Sequence, residues 1–386
     1  MITNTPQKIP LWRDQRFWKI ALQAVVLIGV IALFSLLANN LTLNLRKTGG
    51  TLFDFGFLDS TAGFGIGESV IPYQPTDPYA RVLLAGLLNS LRIMVLGIIL
   101  TTLLGIAAGV AYFSNNWLVK KISVVYVEIV RNTPLLLQLL FWYGLFLQLP
   151  ALDQRLNLLN LAFLSKRGIY VPWPMSNLIW IWLGILLVEA IAAFLIWRWQ
   201  LQVIVEQGQS GQLQQRLMLG LGLAALLIIL FGFGWSFPQS TESGVDGGMR
   251  LTIEFTTLLI GLVVYTGAYI AEIVRSGIQS VPKGQWEAAR SLGLKAGLVM
   301  QLVVFPQALR VIIPPLNSQY MNLAKNSSLA IAVAYPDIYN VANTTFNQSG
   351  HVVEVMLIIM ATYLTINLMI SLTMNAFNRS VQLRER

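Results

Sequence analysis

The chain contains no cysteine and a single histidine, His351. Without thiols, disulfides, thiolate catalysis and cysteine-ligated metal are excluded. One imidazole cannot assemble a metal site alone, and His351 reads as an ordinary interfacial residue. Charge is also scarce. Asp, Glu, Lys and Arg make up 11% of the residues, against about 25% in an average soluble domain. There is no G-x-x-x-x-G-K-[ST] loop, so the chain has no phosphate-cradling ATP site of that type. No period of 20–50 residues marks a repeat array. No basic stripe with interleaved aromatics supports nucleic-acid binding, although the net charge is +9.

What fills the 386 residues is apolar side chain, 55% by count, with a mean hydropathy of +0.65. Bilayer is the implied solvent. Eight runs are long enough to span it at roughly 20 residues each, at about 20–38, 84–113, 125–149, 176–197, 217–236, 251–274, 300–323 and 352–376. Backbone in lipid must satisfy its own hydrogen bonds, so all eight are expected to be helices. The first run lacks a small-x-small cleavage site and is long for a signal peptide, so it reads as a retained span. The fold class predicted is an all-α polytopic membrane protein.

With the N-terminus placed in the cytoplasm, segments on that side hold fifteen Lys and Arg and segments on the other side hold eight. The excess favours cytoplasmic N- and C-termini. Residues 39–83 then form a long external loop, ordered or semi-ordered. The glutamine-rich stretch 198–216 becomes a cytoplasmic connector. The chain divides into 1–83, with tail, first span and external loop, and 84–386, a transmembrane domain with inserted spans at 176–236.

Polar residues inside apolar runs are the candidates for function. Glu128 and Arg131, and again Glu272 and Arg275, are spaced i,i+3 on their helices and can pair. Each pair reads as a structural or gating ion pair, or as a substrate contact. Gln138 could face a polar pathway or make an interhelical hydrogen bond. Asn317, Gln319, Asn322, Lys325, Asn326 and Ser327 cluster at the outer end of the seventh span, where Pro314-Pro315 is expected to break the helix. Irregular backbone there could line a cavity or be capped within the loop. Gln138, Tyr265, Asn317, Asn322, Lys325 and Ser327 are the candidate pathway residues.

"VPKGQWEAARSLGLKAG", Val281 to Gly297, is polar between two apolar spans. Pro282 and Gly284 end one helix and permit another, expected over about 284–297. Glu287 near its start and Lys295 near its end complement the helix dipole. Trp286, Ala289, Gly293 and Ala296 would give one face of mostly small residues. Gly293 carries a mid-helix cost of about 1 kcal/mol, so its presence wants a packing or turn explanation. An interfacial surface helix and a docking helix both fit.

Glu287-Ala288-Ala289, then Gly293, then Val303-Val304-Phe305-Pro306 resembles the EAA loop of bacterial ABC importer permeases, E-A-A-x3-G-x9-I-x-L-P. Val303 and Phe305 replace the pattern's Ile and Leu, both apolar exchanges. "NSLRIMVLGIILTTLLGIAAG", "YVEIVRNTPLLLQLLFWYG", "YTGAYIAEIVRSGIQSVPKGQWEAARSLGL" and "FPQALRVIIPPLNSQYMNLAKNSSLA" resemble successive core helices of the polar amino-acid branch. "FGFLDSTAGFGIGESVIPY" and the extra spans resemble the larger permease subunit of general L-amino-acid importers. The resemblance covers nearly the whole chain.

It implies core helices at 84–149 and 251–376. It also implies a coupling helix with Trp286, Glu287, Ala288, Ala289 and Gly293 docked on an ATPase. The implied partners are a second, related permease, two ATPase subunits holding ATP and Mg, an external amino-acid-binding protein, the amino acid and lipid. The implied location is the bacterial inner membrane. No cofactor is expected in this chain, and no enzymatic step. An ion-coupled secondary transporter or a non-transporting scaffold remain the alternatives. The first of these should show inverted repeats and discontinuous helices within one chain, which are not evident in the sequence.

Overall fold

A computed structural model of the chain describes residues 15–47, 53–159, 161–206, 211–241 and 244–381. Lys8, Arg13, Arg384 and Arg386 of the charge argument lie outside the described residues, as do 207–210 of the connector. The fold is predominantly helical. In chain order the helices are α1 (Gln15–Lys47), α2 (Tyr79–Ala111), α3 (Trp117–Arg131), α4 (Leu135–Leu147), α5 (Ile179–Glu206) and α6 (Gln212–Leu227). After these come α7 (Ile253–Gln279), α8 (Lys283–Ser291), α9 (Ala296–Val299), α10 (Phe305–Asn326), α11 (Ile338–Ser349) and α12 (Val352–Val381). Among the described residues, seven helical stretches are long and apolar enough to cross a membrane, and α3 with α4 counts as an eighth if the two form one span.

α2 and α7 are unbroken rods packed on each other, and α3, α4, α10 and α11 pack on one or both of them. α2 carries glycines at a four-residue spacing, including Gly105-Ile-Ala-Ala-Gly109, which line up on one helix face. A Cβ on Gly105 would lie 2.5 Å from Cβ of Ile270, and one on Gly109 2.7 Å from Cβ of Val274. Only hydrogen fits at these points, so the two backbones approach closely and van der Waals packing takes the place of a hydrophobic drive that lipid does not supply.

Two stretches of chain are interrupted, and only the first interruption falls within a span, the second coming just after the continuous stretch Ala296–Val333. The run expected as one helix over 125–149 is instead α3 and α4, bent by 107°. Pro134 sets the break, because the residue before a proline is pushed out of helical geometry. In the second, Pro314-Pro315 does not break its helix, and α10 runs through both to Asn326. Both prolines, and the Arg310 and Val311 carbonyls they leave without helical donors, lie on the exposed face of α10, where the rings meet no packed neighbour. The break comes later. Ser327–Val333 winds as a 3-10 helix, Ala334 adopts left-handed φ 57°, and α11 starts at Ile338 with Asp337 as its cap. A π-helical turn at Met300–Val304 precedes Pro306, loosening the ladder just where the proline cannot donate.

The long loop at 39–83 is shorter than expected, because α1 extends to Lys47 and α2 starts at Tyr79. Residues 53–78 form an ordered strap, pinned by Ala62 N–H to Asp77 O and Tyr79 N–H to Ser60 O. His351 stacks on Phe57 of this strap at 4.6 Å.

Short strands, not foreseen from the sequence, flank α5 and α6. These are β1 (Leu156–Leu158), β2 (Ala162–Ser165), β3 (Gly168–Val171), β4 (Trp173–Pro174), β5 (Trp235–Ser236), β6 (Gln239–Thr241), β7 (Gly244–Asp246) and β8 (Met249–Leu251). The order β1-β2-β3-β8 makes one sheet, antiparallel throughout, and β4-β5 and β6-β7 pair separately. β8 leads directly into α7. α5 and α6 pack on each other and, like α1, bury none of their apolar span in this chain.

Replacing Gly105 by valine should force α2 and α7 apart at a cost of roughly 1–3 kcal/mol. The thermal midpoint of the purified protein should fall by several degrees. An unchanged midpoint would show that the approach at Gly105 is not needed.

Candidate functional site

The bend between α3 and α4 begins with carbonyls that have lost their helical donors. Each finds a side chain. Asn132 Nδ2 donates to Glu128 O at 2.7 Å, and Thr133 Oγ1 donates to Ile129 O at 3.0 Å. Gln138 Nε2 donates to Val130 O at 3.0 Å, Thr133 O at 3.1 Å and Thr133 Oγ1 at 2.7 Å. α3 is held in place by Ser123 Oγ on Ala108 O (2.6 Å) and Tyr126 OH on Val264 O (2.7 Å). Its start is capped by Asn116 Oδ1 accepting from Leu118 N at 2.9 Å.

Between α3 and the ends of α2 and α7 lies a polar cavity of about 520 Å³. Glu272 of α7 is its centre. Arg275 pairs with both Glu272 oxygens, through Nη2 to Oε1 and through Nε to Oε2 at 2.9 Å. Arg131 approaches from α3, Nη1 to Oε2 at 3.5 Å. Of the two expected i,i+3 pairs, Glu272–Arg275 forms. Arg131 turns instead to Glu272 across the helix interface, and among the described residues no cation lies in ion-pair range of Glu128. The reason is directional. The break at Asn132–Pro134 ends α3, and Arg131 sits over the ring of Tyr269 at 5.4 Å, aimed at α7.

Tyr112, Lys120 and Tyr269 also line the cavity, and sequence reasoning missed all three. The i,i+4 spacing of Tyr265 and Tyr269 was the available signal. Tyr265 OH donates to Tyr269 OH at 3.3 Å, and Tyr269 OH to Arg131 O at 3.5 Å, so Tyr265 reaches the cavity wall at second hand. Gln138 faces a separate, mostly apolar groove with Leu137, Phe141 and Trp142. Asn317, Asn322, Lys325 and Ser327 line neither space. Asn317 Oδ1 is buried without a hydrogen-bond partner among the described residues. Asn322 and Lys325 are exposed, and Ser327 donates to Ala324 O at 2.8 Å.

α8 stops earlier than expected, at Ser291 rather than 297. Gly293 has φ +76°. Its N–H bonds Arg290 O at 2.9 Å, and Leu294 N–H reaches back to Ala289 O at 3.3 Å. This is a Schellman end, and it explains Gly293 as a turn residue instead of a member of a helical face. Ala296 lies beyond the helix, in α9. Ala289 is buried and Trp286 packs with it against Val281, Val299, Val304 and Ala308. Of the expected small-residue face, Trp286 and Ala289 therefore point into this chain, whereas Gly293 and Ala296 are exposed. The outward face carries Lys283, Gln285, Glu287, Ala288 and Arg290, with Leu292 82% exposed at the tip.

Inverted repeats with discontinuous helices were the mark reserved for an ion-coupled carrier, and among the described residues one span, α3–α4, is broken, which alone does not separate the classes. Similarity to known proteins does. The family described as "Binding-protein-dependent transport system inner membrane component" matches residues 217–383. A putative amino-acid ABC transporter permease of Escherichia coli K12 is 43% identical over 96% of this chain and 95% of its own length. A general L-amino acid transport system permease of Rhizobium johnstonii is 41% identical over 97% and 94%. A glutamate/glutamine/aspartate/asparagine transport system permease of Rhodobacter capsulatus is 40% identical over 97% and 96%.

Glu272→Gln should leave Arg131 and Arg275 facing each other without a counter-charge. The groups are about a quarter to two-fifths exposed, so screening keeps the cost to roughly 1–2 kcal/mol. Glu128→Gln, with no cation in range, should be close to neutral. Equal thermal shifts for the two variants would contradict this ranking.

Proposed function

This chain belongs to the binding-protein-dependent transport system inner membrane component family, the permeases of ABC transporters, and from that premise we propose that it imports polar L-amino acids. In this reading a second, related permease completes the pore. Two ATPase subunits bind ATP and Mg²⁺, and an external binding protein delivers the amino acid. The chain lies in the bacterial inner membrane with both termini cytoplasmic, and it makes no covalent change itself. Residues 84–149 and 251–376 are its core, 176–236 its inserted spans, and 1–83 its tail, first span and strap.

One observation carries the coupling role. α8 presents a charged outer face while its inner face is locked to the ends of α7 and α10. Ile278 and Val281 of the α7 end, Ala289 and Trp286 of α8, and Val299, Val304 and Ala308 form one packed cluster. Side chains packed at protein density transmit displacement rather than absorb it. A force on the outer face at Glu287, Ala288 and Arg290 therefore moves α7, and α7 carries Glu272 into the cavity wall. The contact that yields is Arg131–Glu272, among the described residues the one ionic link between α3 and α7. Its parting is the step that biases the two access states. The cavity lines up Arg131, Arg275 and Lys120 with Glu128 and Glu272, both signs of charge, as a zwitterion requires. Names of the relatives, all amino-acid permeases, support the substrate class.

Glu287→Lys and Gly293→Glu should abolish ATP-driven uptake by the reconstituted complex while the protein still reaches the membrane. Glu287 is exposed, so its variant tests docking without disturbing packing, and normal uptake in it would remove α8 from coupling. Gln138→Ala should strip the bend of an amide that two N–H groups share among three acceptors, and alter affinity or selectivity. Unchanged kinetics across several amino acids would remove Gln138 from the pathway.

A further inference from the structure

Arg92 of α2 lies roughly 20 Å along the helix from Tyr79, and the strap reaches in to meet it. The strap's Gly63–Ser69 turn places the Glu68 carboxylate on Arg92, with side chains 14% and 19% exposed. The other carboxylate oxygen, Oε2, accepts from Thr252 Oγ1 at 2.5 Å. Thr252 in turn caps α7, accepting from Phe255 N at 3.2 Å. The guanidinium of Arg92 sits 4.0 Å over the Phe255 ring. Asn89 holds the strap backbone from both sides of the glutamate, donating to Glu68 O at 2.9 Å and accepting from Val70 N at 3.2 Å. Arg92 Nη2 is buried and has no hydrogen-bond partner among the described residues. One carboxylate is thus received by a cation and a hydroxyl, with a donor to spare.

The place of this site matters as much as its chemistry. Phe255 belongs to an apolar cluster with Leu135, Leu139, Leu262 and Val333, against which Tyr265 packs. Tyr265 leads through Tyr269 to Arg131 and the polar cavity. From Thr252 to Tyr269 is roughly 25 Å of α7. One side of α7 therefore carries an arginine-centred site near its start, an apolar seal, and an arginine-containing cavity near its end.

We propose that Arg92 and Thr252 form an entry site for the α-carboxylate of the amino acid, and that Glu68 occupies it as a built-in surrogate while the strap is down. The argument is electrostatic and rests on the amino-acid reading above. A largely desolvated arginine stripped of its carboxylate is costly, so the strap lifts readily only when another carboxylate replaces Glu68. An amino acid supplies one. Entry is thereby linked to the presence of substrate, and the seal below stays closed until it arrives.

The absence of cysteine makes the test direct. Gly65→Cys lies at an exposed strap position where a Cβ meets nothing within 4 Å, and a nitroxide there reports strap mobility in the full complex in nanodiscs. The ligands are L-glutamine and its decarboxylated analogue 4-aminobutanamide. L-glutamine should mobilise the label and the analogue should not. Arg92→Gln should abolish the response, and Glu68→Gln should lower the half-saturating concentration roughly tenfold, the loss of one charged hydrogen-bonding competitor. Glu68→Asp, which keeps the carboxylate, should retain a strap held down without ligand.

A response to the analogue equal to that to L-glutamine would overturn the proposal, as would a response surviving Arg92→Gln. Uptake of labelled L-glutamine is measured on the same preparation. Uptake with no strap response overturns the entry site alone, whereas uptake of no amino acid at all overturns the import reading on which it rests.

Discussion

Backbone polar groups removed from water must be bonded inside the protein, and in a membrane that rule decides where a helix can stop. One span of this chain is broken partway and another is followed at once by a break, and each is repaired by side chains. At the α3–α4 bend, Asn132, Thr133 and Gln138 take the carbonyls that α3 leaves open. At the α10–α11 break, Asn89 Nδ2 donates to Pro336 O, Ser90 Oγ accepts from Ile338 N, and Asp337 accepts from Asn340 N. The repair explains why α2 is unbroken. It supplies Asn89 and Ser90 at a fixed height, and a flexible helix could not.

The Arg92–Glu68 and Arg131–Glu272–Arg275 groupings both adjoin α7, and both use arginine. Its planar fork can bind two acceptor sites at once and stack on an aromatic ring, which an ammonium does less well. Arg92 stacks on Phe255 and Arg131 lies over Tyr269. The two differ in what holds their carboxylate. Glu272 sits on α7 itself and moves with it. Glu68 sits on a loop, two residues past Ile66, the last of the strap's apolar anchors before it, and is held there by hydrogen bonds. The first contact suits a link between helices, and the second suits a contact that opens.

The spans were legible because long apolar runs leave little else for a backbone to do. The Glu272–Arg275 pair was legible because i,i+3 spacing on one helix needs no tertiary knowledge. What the sequence hid was direction. Nothing in "VEIVRNTPLL" says that the helix turns by 107°, so Arg131 could not be assigned to Glu272 rather than Glu128. Pro314-Pro315 misled because a proline pair reads as a stop, while its effect depends on which face it occupies. The β-strands are two to four residues each, too short for alternation to register. The strap's Glu68 looked like one loop acid among others until Arg92, 24 residues on, proved to be its partner.

The α8 motif shows how one spacing can serve two ends. In a Schellman end the C′ residue lies four positions after C3, whose carbonyl takes the bond from the residue after C′. Here C3 is Ala289 and C′ is Gly293, with Leu294 closing the bond. The interval in "EAARSLG" between its second alanine and its glycine is therefore the geometry of a helix stop. Ala289 must also be small and inward, because it packs between Val281 and Val299. That leaves Glu287 and Ala288 pointing out, on a helix too short to bend and too tightly ended to fray. The three letters of the pattern and its glycine thus divide between anchoring α8 to this chain and presenting a rigid charged face outward. An interfacial helix lying on lipid would need the opposite arrangement, with its apolar face free. Here that face is already occupied by the chain's own core.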